Sequence, residues 1–135
     1  MEKQAQVLDA SVIVKWFVNE IDTDKAVELW NKHASDEVKI IVPSLIFLEV
    51  INSLRYKGNS EETLIEINKT LWNSDLKIEP ISEQLVQHAI ILAKKYDLTI
   101  YDAIYVSLAQ LHGCSLVTSD KELYKIPNAI PLNKV

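Results

Sequence analysis

Short apolar runs alternate along the chain with longer stretches in which hydrophobic residues recur at helical spacing. The apolar runs predict β-strands at residues 5–8, 39–42, 76–81 and 115–118, with residues 129–132 as a possible fifth. The second run, KIIV, is rich in β-branched residues and unbroken, which is typical of a strand buried on both faces. The pattern therefore predicts a sheet of four to five strands.

Capping residues and helical spacing predict helices between these strands. Ser60, Ser82 and Thr99 each stand where a side-chain oxygen would cap a helix, and Gly58 is well placed to end the preceding one. Three predicted helices have both ends: residues 11–19, about 45–57 after Pro43 and Ser44, and 99–112. Three others are predicted by their starts, at Asp22 or Thr23, at Ser60 and at Ser82. A helical turn is predicted at 120–124.

Strands that alternate with helices indicate right-handed crossovers and a parallel sheet covered by helices on both faces. The chain shows no internal repeat, low-complexity segment or linker, so residues 1–135 are expected to form one α/β domain. In such folds ligands bind at the carboxyl edge of the sheet, which is where chemistry should be sought.

Charge and composition narrow the function classes. The 14 Lys and Arg residues and 19 Asp and Glu residues give a formal net charge of −5, which argues against a broad electrostatic binder of nucleic acid or membrane. Two glycines are too few for a glycine-rich phosphate loop. The single Cys114 forms no internal disulfide, the first residues are too polar for a signal peptide, and no apolar stretch suits a membrane span. We expect a soluble cytoplasmic protein.

Four acidic residues stand at positions that favour convergence. Asp9 and Asp120 follow predicted strands, so both belong to the carboxyl edge of the sheet. Glu49 lies in a helix among hydrophobic residues, where an ionised carboxylate without a partner is costly, and Asp102 lies in the first turn of its helix. Neighbouring strands can bring both helices to the same edge, where four carboxylates repel one another unless a divalent cation is present.

Each acid taken singly has a structural explanation. Asp102 follows Thr99 by three residues, as in a capping box, and acids near helix starts are stabilising. Asp120 is placed to cap the turn that follows it, and Asp9 to form a turn. Glu49 is placed to reach solvent or a basic partner through a gap in the packing. The hypothesis of a shared site therefore depends on all four acids meeting.

Ligands that are all oxygen favour Mg²⁺ or Mn²⁺, since zinc prefers His or Cys and the three histidines show no ligand spacing. Carboxylate clusters that hold such cations serve phosphoryl chemistry. Lys15, about one and a half turns beyond Asp9, and Arg55, near the end of the Glu49 helix, are candidate phosphate contacts, although either is also an ordinary surface charge.

The motifs VLDASVIVKWF, FLEVINSL, YDLTIYDAIYVSLA and LVTSDKEL together resemble the PIN-domain ribonucleases, specifically toxins of the VapC type. The resemblance covers nearly the whole chain, with the four motifs in order. It implies a three-layer α/β/α sandwich that cuts RNA with Mg²⁺ or Mn²⁺. By resemblance, Asp9, Glu49 and Asp102 match the metal-binding acids, and Asp120 a fourth acid of more variable role. Ser11 and Thr118 match the small hydroxyl residues that hydrogen-bond around the site.

The resemblance also implies an RNA substrate, a cognate antitoxin protein and a homodimer, with no membrane. Two alternatives stay open. One is a PIN-fold nuclease for RNA processing or quality control, without an antitoxin. The other is a receiver-like signalling module phosphorylated on Asp, although the third predicted strand, LKIEPI, offers no acceptor aspartate at its end.

Overall fold

The computed structural model describes residues 4–135, which form five strands and six α-helices. The strands are β1 (Gln4–Leu8), β2 (Val38–Pro43), β3 (Lys77–Glu79), β4 (Ser115–Thr118) and β5 (Ala129–Pro131). The helices are α1 (Ala10–Ile13), α2 (Thr23–Ala34), α3 (Ile46–Tyr56), α4 (Glu61–Trp72), α5 (Glu83–Tyr96) and α6 (Ile100–Leu111). Single 3₁₀ turns lie at Val14–Trp16, Lys121–Leu123 and Leu132–Lys134. None of the helices in this part of the chain has the length and apolar character needed to cross a bilayer.

The predicted caps form hydrogen bonds at three helix starts. The hydroxyls of Ser60, Ser82 and Thr99 each accept from the backbone N–H three residues further on, at 3.1–3.2 Å. Gly58 adopts φ +89°, a left-handed conformation that suits glycine and ends α3. Asp22 precedes α2, but its side chain makes no capping hydrogen bond.

Three predicted elements differ from the structure. The third strand, expected over residues 76–81, spans only Lys77–Glu79, because Pro80 follows and cannot donate to the sheet. The helix expected over residues 11–19 begins one residue earlier, spans only Ala10–Ile13 and passes into a 3₁₀ turn. The run Val12–Val14 is β-branched throughout, and such residues are stiff in a helix. Pro43 ends β2 instead of opening the next helix, which begins at Ile46.

The sheet has the order β3-β2-β1-β4-β5, and every neighbouring pair is parallel. The chain leaves β1 toward β2 on one side, and it leaves β4 toward β5 on the other. The strand order therefore reverses between β1 and β4, and the crevice beyond their carboxyl ends is the place where open α/β sheets bind ligands.

Helix α6 lies over the centre of the sheet, against β1, β2 and β4. Its residues 103–109 are all buried. Since α6 leads into the start of β4, its own first turn lies at the carboxyl edge of the sheet. Helix α3 leaves β2 at that same edge. The first turns of α3 and α6 therefore border the crevice between β1 and β4.

Candidate active site

The four acids predicted from the sequence come from four elements that meet at the carboxyl edge. Asp9 directly follows β1 and is 5% exposed, and Asp120 lies two residues beyond β4. Glu49 is in the first turn of α3 and Asp102 in the first turn of α6. Glu49, Asp102 and Asp120 are half-buried.

Two hydroxyls hold the Asp9 carboxylate. Ser11 Oγ donates to Oδ1 and Thr118 Oγ1 donates to Oδ2, both at 2.5 Å. Each hydroxyl also accepts from a backbone N–H: Ser119 N lies 2.9 Å from Ser11 Oγ, and Asp120 N lies 3.0 Å from Thr118 Oγ1. The accepting role leaves each hydroxyl proton free for Asp9, so the loop after β4 fixes the orientation of a carboxylate on β1.

Burial and these hydrogen bonds have opposite effects on the pKa of Asp9. Desolvation raises the pKa of its carboxyl from 3.8 to about 6, although the hydroxyls of Ser11 and Thr118 favour the charged form. The negative charge of Asp102 raises the pKa further. At neutral pH Asp9 is therefore an ionised carboxylate in a poorly solvated position.

A buried tyrosine holds Glu49. Tyr105 is 1% exposed and its hydroxyl donates to Glu49 Oε1 at 2.6 Å. Burial and the facing carboxylate keep the pKa of this phenol well above its ordinary value, so it stays a donor. Burial also raises the pKa of Glu49, the bond from Tyr105 lowers it, and the charge of Asp102 raises it.

Asp102 is the common neighbour of the other three acids. Burial is the main cause that raises its pKa, followed by the charge of Asp120, whereas contact with the Thr99 hydroxyl lowers the pKa. Since the charge of Asp102 also raises the pKa of Asp9 and Glu49, all four acids share one electrostatic neighbourhood.

Two further residues belong to this neighbourhood and were not predicted as part of the site. Glu122 adds negative charge near Asp102, and its backbone N–H donates to Asp120 Oδ1 at 3.0 Å. Tyr105 contacts Glu49 across the interior. A sequence signal existed for Glu122, which follows Asp120 by two residues. Tyr105 lies one helical turn after Asp102, but its spacing gives no indication of its distant partner Glu49.

The donor set fits a hard divalent cation by its chemistry. Its charged groups are all oxygen ligands, and a cation would offset the burial and mutual repulsion that raise the pKa values of Asp9, Glu49 and Asp102. As the side chains stand, however, no three acidic, histidine or cysteine side chains among residues 4–135 are arranged to hold a metal ion. A hydrated ion such as Mg²⁺, which keeps several waters, therefore suits this arrangement better than an ion enclosed by protein ligands.

The two candidate phosphate contacts lie in different places. Lys15 is half-buried and lines a cavity of about 290 Å³ that also includes Ser11 and Ser119. Arg55 lines a separate groove between α3 and α4, with its guanidinium 5.5 Å from the centre of the Tyr56 ring. The structure therefore brings Lys15, but not Arg55, into the cavity next to Asp9.

The strand order argues against a receiver module. Receivers of the flavodoxin-like class have the order 2-1-3-4-5, whereas this sheet has 3-2-1-4-5. The third strand ends at Glu79 and is followed by Pro80, so no aspartate stands at its carboxyl end.

Comparison with known proteins shows which family and which solved structures this chain is similar to. The sequence profile of the PIN domain matches residues 7–129. Ribonuclease VapC3 of Pyrobaculum aerophilum is 31% identical over 123 residues, which cover 87% of this chain and 90% of that protein. A chain of the toxin–antitoxin complex from Klebsiella pneumoniae superposes with a TM-score of 0.74 at 21% identity, covering 96% of this chain and 99% of that chain. VapC20 of Mycobacterium tuberculosis, a sarcin–ricin loop cleaving toxin, superposes with a TM-score of 0.68 at 13% identity, covering 84% and 87%.

Proposed function

The chain belongs to the PIN domain family, as its four sequence motifs predicted, and on this premise we propose that it is a metal-dependent endoribonuclease of the cytoplasm, the toxin of a toxin–antitoxin pair. The observation that carries the proposal is the meeting of four acids at the strand-order reversal, where Asp102 is close enough for its charge to act on Asp9 and Glu49 and for the charge of Asp120 to act on Asp102. The ribonuclease name of the relative that is 31% identical supports the same activity.

In this proposal Asp9, Glu49, Asp102 and Asp120 would hold a hydrated Mg²⁺ or Mn²⁺ at the carboxyl edge, partly through its waters. The bound ion would lower the pKa of an attacking water and stabilise the leaving oxygen of the phosphodiester. Ser11 and Thr118 keep the Asp9 oxygens oriented, and Tyr105 does the same for Glu49. Lys15 lines the cavity that includes Ser11, the residue that donates to Asp9, and there it would offset the negative charge of the RNA backbone.

Cleavage assays with purified protein test this proposal. Single-stranded or looped RNA should be cut with Mg²⁺ or Mn²⁺ and not in excess chelator. Asp9→Asn, Glu49→Gln and Asp102→Asn should each remove most of the activity while the protein stays folded. Asp120→Asn should have a milder effect, because its counterpart in the family has a more variable role.

Asp24→Asn serves as the control, since Asp24 is an exposed acid on α2, away from the four-acid set. Undiminished cleavage in excess chelator would rule out the metal mechanism. Full activity in both Asp9→Asn and Asp102→Asn would rule out this site.

The antitoxin is proposed to dock along α3. The resemblance to VapC-type toxins predicts a groove beside the Glu49 helix and the helix that starts near Thr99, and the apolar groove of the structure borders α3 on its α4 side. This groove has a volume of about 680 Å³, and Leu48 and Trp72 in its lining are 73% and 54% exposed. Exposed apolar surface of this kind marks a protein interaction site.

Co-expression with the product of an adjacent small gene should yield a stable complex. Leu48→Glu should weaken that complex and leave ribonuclease activity unchanged, whereas Leu111→Glu, at an exposed leucine that ends α6, should not weaken it. If no adjacent gene product binds and the protein is harmless when expressed alone, the toxin assignment fails and the nuclease assignment stands.

A further inference from the structure

The cavity next to Asp9 has a lining unlike that of the four-acid site. Six of its residues carry polar or charged side chains: Ser11, Lys15, Glu20, Ser53, Lys57 and Ser119. It lies between the start of the chain's first helical segment, the second half of α3 and the loop after β4. Because its lining includes Lys15 and Lys57, it is called the two-lysine cavity.

The two-lysine cavity is joined to the site through Ser11. Ser11 lines the cavity, and its hydroxyl donates to Asp9 Oδ1 and accepts from the backbone N–H of Ser119, another lining residue. A group held in the cavity therefore lies one side chain away from the Asp9 carboxylate.

The lining suits an oxyanion. The ammonium groups of the two lysines and the hydroxyls of Ser53 and Ser119 can donate to phosphate oxygens, whereas the Ser11 proton is already donated to Asp9. The cavity volume of about 290 Å³ is close to the lower limit of ligand sites, which span about 300–1,000 Å³. Such a volume matches a phosphate with part of its ribose.

The two lysines differ in their present partners. Lys15 is half-buried and makes no ion pair with any described residue. Lys57 Nζ lies 3.2 Å from Glu20 Oε2, and both side chains are partly exposed, at 40% and 34%. An exposed ion pair of this kind contributes about 0–1 kcal/mol, so another anion readily replaces the carboxylate.

We propose that the two-lysine cavity binds a backbone phosphate of the RNA next to the phosphodiester that is cut. In the free protein the Glu20 carboxylate pairs with Lys57, and the RNA phosphate displaces it. The proposal rests on the ribonuclease function proposed above. It assigns Lys15 and Lys57 to backbone contacts that do not depend on sequence.

The chain offers a matched control pair. Lys32 and Glu28 form an exposed ion pair on α2 at 3.6 Å, and the side chain of Lys32 is 41% exposed against 40% for Lys57. Lys32→Gln and Glu28→Gln therefore change net charge and surface pairing as Lys57→Gln and Glu20→Gln do, but outside the cavity.

The experiment measures binding of labelled single-stranded RNA of mixed sequence at several salt concentrations. EDTA is present throughout, so that metal-dependent cleavage does not occur. Lys15→Gln and Lys57→Gln should each weaken binding about threefold to tenfold for all sequences alike and lower the slope of log affinity against log salt by about 0.7. Glu20→Gln should strengthen binding by about threefold, because it removes the competing anion. Glu28→Gln and Lys32→Gln should each change binding by less than about twofold.

Cleavage with Mn²⁺ gives a second readout. A backbone contact made equally before and during the reaction should raise KM in Lys57→Gln and leave kcat unchanged. If wild type cuts RNA and both cavity lysine variants behave like Lys32→Gln, the proposal is overturned and the ribonuclease function stands. If the lysine variants lose antitoxin binding and keep RNA binding, the cavity is a protein contact and the proposal is again overturned. A wild type that neither binds nor cuts RNA removes both proposals.

Discussion

The surroundings of Asp9 both stabilise and destabilise its ionised form. Two hydroxyl donors stabilise the ionised form, yet burial dominates and raises its pKa to about 6. The folded protein without a cation therefore carries an unfavourable charge at neutral pH. This cost would be offset when a cation binds.

The pH dependence of the metal-free protein follows from this shift. The carboxyl of Asp9 ionises near 3.8 when unfolded and near 6 when folded, so between these values the folded state binds more protons. Lowering the pH from 7.5 to 5 should therefore raise the melting temperature in EDTA, and Asp9→Asn should flatten that rise. Asp24→Asn should keep the dependence of wild type. A wild-type melting temperature that falls steadily over this range would contradict the raised pKa.

Tyr105 gives a second prediction at this scale. Tyr105→Phe removes the donor to Glu49 Oε1 and keeps the buried ring. It should lower the free energy of unfolding by about 1 kcal/mol, less than for a fully buried charged pair, because Glu49 is half-buried. With Glu49 free to rotate, metal-dependent cleavage should fall by about tenfold. Tyr101→Phe is the control, on the same helix but 62% exposed. Equal cleavage by the two variants would show that Tyr105 is only a core residue.

At the scale of elements, the end of α5 is strained in a way that substitution can relieve. Asp97 is exposed and adopts φ 54°, ψ 61°, a left-handed conformation that favours glycine. Its carboxylate also lies at the negative end of the helix dipole. The structure tolerates both, since Leu98 N still bonds to Ala93 O at 3.0 Å and closes the helix.

Asp97→Gly should therefore stabilise the protein by about 1 kcal/mol, a rise of a few degrees in melting temperature. Asp24→Gly makes the same chemical change in the first turn of α2, where an acid is favourable and glycine is not, so it should lower the melting temperature. Thermal melts of both variants check the pair. The same sign in both would show that backbone conformation and helix polarity do not control these positions.

Most elements were predictable because local signals and burial agree. The strand at 115–118 has the predicted bounds, and Ser60, Ser82 and Thr99 cap as their side-chain chemistry indicates. The first helix was predicted too long because apolar residues alone do not separate four helical residues from a 3₁₀ turn when the run is β-branched. Asp22 makes no capping hydrogen bond, and its left-handed backbone differs from the extended conformation that capping residues normally adopt.

At the scale of the whole molecule, the site depends on how distant segments meet. The parallel-sheet prediction is confirmed and explains why Asp9 and Asp120 share an edge. The functional roles of Asp9, Glu49, Asp102 and Asp120 stay predictions. The contact between Tyr105 and Glu49 was not predictable, because it joins two helices 56 residues apart and depends on how α6 rotates on the sheet.

Metal binding should couple this arrangement to stability. A cation that binds only the folded state stabilises by about 2.7 kcal/mol at one hundred times its Kd. Asp102→Asn removes repulsion as well as a ligand, so in EDTA it should melt no lower than wild type, and with Mn²⁺ it should lose most of the rise. If Asp102 only caps α6, the variant should instead melt lower in EDTA, by an amount set by about 0.3–1 kcal/mol. Equal Mn²⁺ shifts in both proteins would then remove Asp102 from the site.

The central place of β1 in the sheet has a consequence for synthesis on the ribosome. β1 pairs with β4, and the Asp9 carboxylate receives one of its two hydroxyl hydrogen bonds from Thr118, 109 residues later. At about 5–20 residues per second, this interval takes about 5–20 s of translation. Throughout that time the nascent chain carries Asp9 without the strand and hydroxyl that orient it. Under the proposed function, the emerging polypeptide therefore has no complete site until translation has passed Thr118 and Asp120, so cleavage would begin only after most of the chain has been made.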